Sequence, residues 1–423
     1  LGDTTLLAGV GIGITWAAIC MKCVISGLNQ GSLTIYSQAF GARNTRTVGL
    51  CLQRAIILRV AGSIFQFLLL GMAYPILKLF QVSDTNATYA TLYCQYTMLN
   101  VIPYIAFDTF KVFLASHQIF YPLMFIQIAG VGIHWFVCRY LVITLDLEVA
   151  GVAIANTITY SLLALSNILY SFYDERTRLS LFAFSKESLR KLGSQFKIEF
   201  FIASFLYLET ISAQVLTLLG ASYSTEQITA QVVISTIFSI GSVSITGLDM
   251  VLCTYIAAFM GKKDVAAVKK SITYGMIISV AYGCLEVACL LIWRKQIMGI
   301  YATDDIVIEI GVTIIIVYAI FIPIDYARGV LVATAKCVGK EKLGSIIYLI
   351  SYYGVGLSMA FLFGTELGWY DKGLWFGTGI GLTTMLILLS ILLLRTDWSK
   401  QVAQIEQRIS YLDNKISTLG ESL

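Results

Sequence analysis

The stretch FFIASFLYLETISAQVLTLLG, residues 200–220, is an apolar run of membrane-span length with a single acid, Glu209, near its middle. A helical span needs about 20 apolar residues, and a carboxyl at the centre of a bilayer costs roughly 2.5–3.5 kcal/mol on insertion scales. No Lys, Arg or His occurs inside the run, so no helical neighbour at i±3 or i±4 neutralises Glu209. An acid kept at that cost is either hydrogen-bonded to another helix for packing or protonated and deprotonated in use.

The remainder of the chain has the same character. Of 423 residues, 57% are hydrophobic and 13% charged, with a mean hydropathy of +0.79. Soluble domains carry about 25% charged residues, so the fold class is an all-α polytopic membrane protein embedded in a lipid bilayer. A net charge of +4 gives no argument for nucleic acid. The nine cysteines fall in or beside apolar runs and are odd in number, which speaks against a disulfide framework. Cys20-x-x-Cys23 lacks a second pair and reads as packing, and His117 and His134 stand apart, so neither a metal nor a cofactor is expected. HExxH, GxSxG and paired-histidine patterns do not occur, which argues against an enzyme.

Apolar windows select eleven helices: 5–40, 53–80, 90–116, 121–144, 150–173, 196–220, 227–260, 271–293, 306–335, 343–364 and 373–394. With the C-terminal tail in the cytoplasm, twenty of the 29 Lys and Arg residues fall on the cytoplasmic side and five opposite. Lys22, Arg59, Lys111 and Arg328 lie within spans. That asymmetry obeys the positive-inside rule. The halves also repeat. Tyr36-Ser-Gln-Ala-Phe40 followed by Arg43 matches Tyr255-Ile-Ala-Ala-Phe259 followed by Lys262, Ile102-Pro103 matches Ile322-Pro323, and Gly151-Val-Ala matches Gly373-Leu-Trp. Two pseudo-symmetric six-helix lobes are therefore expected, with eleven helices present and the one missing from the first half placed before Leu1. The expected division is an N-terminal lobe over 1–173, a cytoplasmic linker over 174–195, a C-terminal lobe over 196–394 and a cytoplasmic tail over 395–423.

Several motifs resemble the multidrug and toxic compound extrusion (MATE) transporters, the eukaryotic branch above all. They are Gly27-Leu28 with Ser37-Gln-Ala-Phe-Gly41, Gln118 with Tyr121-Pro122, Tyr352-Tyr-Gly-Val-Gly-Leu357, Gly373-Leu-Trp375 and Thr396-Asp-Trp398. The resemblance covers nearly the whole chain short of its last ~25 residues, within the usual uncertainty of element ends. It implies export of small organic cations or xenobiotics by alternating access, coupled to proton entry, with sodium as the other coupling ion. It places Glu209 on the essential acid of the family's Glu-Trp-Trp motif in helix seven, where Thr210-Ile211 replaces the tryptophans and Gln214 the second acid. An acid of helix ten falls on Asp325, and one of helix eight on Thr236.

The candidate coupling and substrate residues are thus Glu209 and Asp325, with Tyr207, Gln214, Asp249 and Thr236 as candidates to line the substrate path. Asp325 has Arg328 at i+3 and Asp108 has Lys111 at i+3, so each acid has a base at hand to pair with. Glu286 is a further span acid whose role, cavity-lining or packing, stays open. In the tail, Val402, Ile405, Ile409, Leu412, Ile416 and Leu419 alternate at three and four residues, which reads as a surface helix, a partner contact or a weak self-association. The alternative function is a lipid-linked saccharide flippase of the same superfamily, which would need a cavity rich in Arg and Lys. Plasma membrane and vacuolar or vesicle membrane are equally compatible with the sequence.

Overall fold

The computed structural model of the chain describes residues 4–80, 82–220 and 223–413, without the side chains of 4–8, 213, 214, 217, 218, 220 and 225. Among the described residues every regular element is helical. Among the described residues nine helices are long and apolar enough to cross a membrane, and the pair Asp305–Tyr318 and Ile322–Cys337, which passes the same test together, is bent by 55° at its break. The 29-residue helix Leu192–Gly220 carries the run around Glu209.

Two boundaries differ from the apolar windows for a local reason. The helix expected from 53 begins at Thr45, because Asn44 caps it by accepting a hydrogen bond from the Thr47 amide (3.0 Å). The helix expected over 306–335 breaks at 319–321 and restarts with Pro323 in its first turn. Proline lacks the amide that would continue the preceding helix, and its fixed φ suits a first turn. Gly283 sits against the Pro323 Cα and the Tyr326 ring, where a Cβ would collide with both.

The chain divides into two compact units, residues 1–203 with 408–423 and residues 204–407. Within each, the same turns recur. After Gly41, Arg43 takes a left-handed φ of 57° and Asn44 caps the next helix; after Gly261, Lys263 has φ 62° and Asp264 caps the next through the Ala267 amide. The backbone bonds of the two turns correspond, Asn44 N to Ala39 O and Asp264 N to Phe259 O, both 3.0 Å. The turn geometry therefore relates Phe40 to Met260 and corrects the motif pairing of Phe40 with Phe259 by one residue. Further along, the π-helical turns Tyr140–Thr144 and Leu362–Glu366 each lead into two left-handed residues, Asp146 and Glu148 in one unit, Gly368 and Tyr370 in the other. Gly151 and Gly373 then lie against the backbone at Leu141 and Phe363, where a Cβ would be tight at Gly151 (3.1–3.3 Å) and would collide at Gly373 (2.5–2.6 Å). This close approach is the physical content of that sequence match.

The tail forms the helix Trp398–Leu412. Ile405, Ile409 and Leu412 are buried by the chain itself. The helix end is fastened by Arg54 donating to the Leu412 carbonyl (2.9 Å) and Asn44 donating to Asp413 (3.1 Å). A surface helix was expected because the stripe reads alike whether water, lipid or protein covers it. Ile416 and Leu419 lie outside the described residues.

His117, just past the helix Val101–Ser116, is buried between Phe40 and Phe113, with Nδ1 at 2.9 Å from the Phe113 carbonyl. Burial pushes its pKa down to about 4. The folded protein thus keeps this ring neutral where the unfolded chain, at about 6.5, takes up a proton. Stability present above pH 6.5 should be lost as pH falls towards 4, by at most about 1.4 kcal/mol per pH unit from this group. Thermal unfolding in detergent at stepped pH checks this, and His117→Gln should flatten that part of the profile.

Candidate functional site

In the unit of residues 204–407, Glu209 is not alone. Arg328, on the restarted helix Ile322–Cys337, donates from Nη2 to Glu209 Oε1 at 3.1 Å and holds Asp325 Oδ1 at 2.7 Å. The guanidinium side chain is 8% exposed, that of Asp325 29% and that of Glu209 51%. The absence of a base within the run around Glu209 is thus made good from another helix, which brings one cation to two carboxylates. The bend before Pro323 puts Asp325 in the first turn of its helix, where the amide dipoles favour a carboxylate.

Beside this group lies a cavity of about 180 Å³ lined by Asp325, Glu286, Tyr326, Phe238, Tyr318 and Trp375, among others. The rings of Phe238, Tyr318 and Trp375 form a closed set with centroids 4.8–5.0 Å apart. Trp375 is anchored by its indole N–H donating to Gln231 (2.7 Å), and Tyr326 donates its hydroxyl to Glu286. Two carboxylates and three aromatic faces in one concavity match the needs of an organic cation, whose charge is attracted to ring faces as well as to acids.

The other sequence candidates are placed differently. Asp249 pairs with Lys336 at 3.4 Å, and Thr236 is exposed with its hydroxyl turned back to the Val232 carbonyl. Tyr207 is half-buried on the Glu209 helix and does not line the cavity. The side chain of Gln214 lies outside the described residues. Phe238 and Tyr318 went unmarked in the sequence, because aromatic residues populate membrane interfaces as well as sites. Glu286 did carry a signal, as a span acid without a base at i±4.

Of a second charged group only the Asp108–Lys111 pair, at i+3, is legible in the sequence. In the unit of residues 1–203, Glu199 and Arg59 form a fully buried pair at 2.8 Å. Glu199 also accepts from Ser32 (2.6 Å) and Gln195 (2.9 Å). Arg59 Nε donates to Asn29 (3.1 Å), and Asn29 donates to Asp108 (2.8 Å), which pairs with Lys111. The result is a continuous chain of two acid–base pairs joined by one amide. Glu199 hides at the edge of the apolar run, and nothing in sequence spacing connects it to Arg59. Gly31 lets the Glu199 backbone come close enough for the contact.

The sequence profile of the MatE family matches residues 1–141 and 201–362. Among similar proteins, Protein DETOXIFICATION 17 of Arabidopsis thaliana is 24% identical over 412 residues, spanning 97% of this chain and 86% of that protein. Multidrug and toxin extrusion protein 1 of Danio rerio is 24% identical over 424 residues, spanning 99% and 71%. The crystal structure of the eukaryotic MATE transporter AtDTX14 superposes with a TM-score of 0.89 at 21% identity, covering 96% of this chain and 91% of that one, a likeness of fold. The chain belongs to the MatE family, and is a multi-pass integral membrane transporter rather than an enzyme.

Proposed function

We propose that the protein exports small organic cations in exchange for protons, and that the group Glu209–Arg328–Asp325 with the adjoining aromatic cavity is where the two compete. The observation that carries this reading is one guanidinium shared by two carboxylates at the edge of a cavity that contains a further acid. With both carboxylates ionised, Arg328 leaves one negative charge unbalanced. An organic cation is suited to take that charge while lying against Phe238, Tyr318 and Trp375. A proton on either carboxylate removes the surplus and with it the attraction. The two occupants exclude each other, so alternating exposure of the site exchanges one for the other. The saccharide-flippase reading is less well supported, since three of the four span bases, Arg59, Lys111 and Arg328, each rest on a carboxylate, which leaves Lys22 as the one of the four without an acid among the described residues.

The test is uptake of an aromatic cationic dye by proteoliposomes under an imposed pH gradient, with a neutral dye of similar shape and a sodium gradient as separate arms. Accumulation of the cation alone, driven by the pH gradient, is the expected result. Uptake driven only by sodium would reassign the coupling ion, and equal handling of the neutral dye would overturn the substrate class. Phe238→Leu, which removes a ring face at similar volume, should raise the Kd of a planar cation by about 3- to 10-fold and leave a neutral analogue unaffected; equilibrium dialysis measures both.

A further inference from the structure

In the unit of residues 204–407, the helices Thr225–Gly261 and Ile322–Cys337 are fastened together by two contacts side by side. Lys336 pairs with Asp249 at 3.4 Å. The next residue, Cys337, meets Cys253, which follows Asp249 by one helical turn, with the two Sγ atoms 2.7 Å apart. Cys337 Sγ also donates to the Cys253 carbonyl (3.3 Å). Both cysteines are in the thiol form, and both are 0% exposed.

The sulfur contact is closer than packing requires. A buried cysteine ordinarily serves as a small apolar side chain, and two of them need not touch through sulfur. A disulfide is about 2.0 Å long, so roughly 0.7 Å of further approach would join these two. The odd cysteine count speaks against a disulfide framework, not against one such bond, and residues 84 positions apart leave no spacing signal. The setting fits a regulatory bond. The turns after the two helices carry Lys262, Lys263, Lys340 and Lys342 of the basic, cytoplasmic side, where disulfides serve redox sensing rather than folding. Cys337 is the last residue of its helix, followed by Gly339 at a left-handed φ of 80°. Helix ends open more readily than helix middles, which gives a small neutral oxidant its way in.

We propose that Cys253 and Cys337 are a redox modification site, joined into a disulfide by a hydroperoxide. The Cys337 thiolate attacks a peroxide oxygen, giving a sulfenic acid and releasing an alcohol, or water from hydrogen peroxide itself. The Cys253 thiol then attacks that sulfur, the S–S bond forms and water leaves. Two thiols are oxidised and one hydroperoxide is reduced. The bond ties the helix Thr225–Gly261 to the helix that presents Asp325 and Arg328. The site makes no use of cation export and stands without it.

The full chain, purified in detergent with its thiols reduced, is treated with hydrogen peroxide, unfolded, alkylated and mapped by mass spectrometry. A peptide pair joined through Cys253 and Cys337 is the expected product. It should form at least about tenfold faster than a link between any other two cysteines, because contact raises the effective concentration of one thiol at the other. Cys284→Ser, at an exposed cysteine, should leave that product unchanged, and Cys253→Ser should abolish it and leave Cys337 as a sulfenic or higher acid. Where Cys253→Ser does not fold, the map of the wild type decides. Oxidation of Cys284 while Cys253 and Cys337 both remain open to alkylation would overturn the proposal, as would links from either residue to other cysteines at an equal rate.

Discussion

Glu209→Gln should reduce proton-driven cation export to background while the protein stays folded in the membrane. Glutamine keeps the size of the side chain and an oxygen for Arg328, and Arg328 keeps Asp325 at 2.7 Å, so the packing has no reason to fail. What disappears is the surplus charge. One guanidinium then faces one carboxylate, as it would with a proton permanently on Glu209. Asp325→Asn should give the same loss from the other side of Arg328, because either neutralisation leaves a balanced pair. Export measured in vesicles, with protein quantified in the same membranes, reports both. Normal export by Glu209→Gln would remove that residue from the coupling group, and loss of folded protein would mean that its role is packing.

The largest effect on stability is expected at Arg59. Its side chain and that of Glu199 are both 0% exposed, and removing one member of a buried pair leaves the other charged without compensation. Such losses run to about 3–5 kcal/mol, whereas replacing both members with apolar groups is often neutral or better. Arg59→Met should therefore unfold at a markedly lower temperature, and Arg59→Met combined with Glu199→Leu should recover most of the difference. Ser32, Gln195 and Asn29 keep some unmet hydrogen bonds in the double variant, which limits the recovery. Thermal unfolding of the purified variants in one detergent measures the cycle. A single variant as stable as the wild type would show that the pair contributes little.

How much of this can be read from the sequence depends on the length scale of the signal. The spans are legible because about 20 consecutive apolar residues are needed to cross a bilayer, and no competing structure uses that pattern. Helix ends are less so, since Asn44 caps a polar first turn, Thr45-Arg-Thr47, and the helix capped by Asp264 carries Lys269 and Lys270 in its second turn, which an apolar window discards. The repeat is visible at Ile102-Pro103 and Ile322-Pro323, yet its register at the first turn emerges only from the left-handed residues Arg43 and Lys263. At the site, Glu209 and Asp325 can be found because an acid in an apolar run is conspicuous by itself. Arg328 can be seen to reach Asp325 at i+3, but its hold on Glu209 joins residues 119 positions apart and depends on packing. Glu199 and Arg59, 140 positions apart, are hidden for the same reason. Charge pairing between helices leaves no mark on local spacing, so the i+3 pairs Asp325–Arg328 and Asp108–Lys111 are legible and the pairs Glu209–Arg328 and Glu199–Arg59 are not.

The competition at Glu209–Arg328–Asp325 is tested most directly without transport. Adding an aromatic cation to the purified protein in a weakly buffered detergent solution, and following pH with an indicator dye, asks whether binding displaces a proton. The account predicts proton release that saturates with cation binding, and none from the double variant Glu209→Gln, Asp325→Asn. Saturable cation binding to the wild type with no proton release at any pH across the titration range would contradict it.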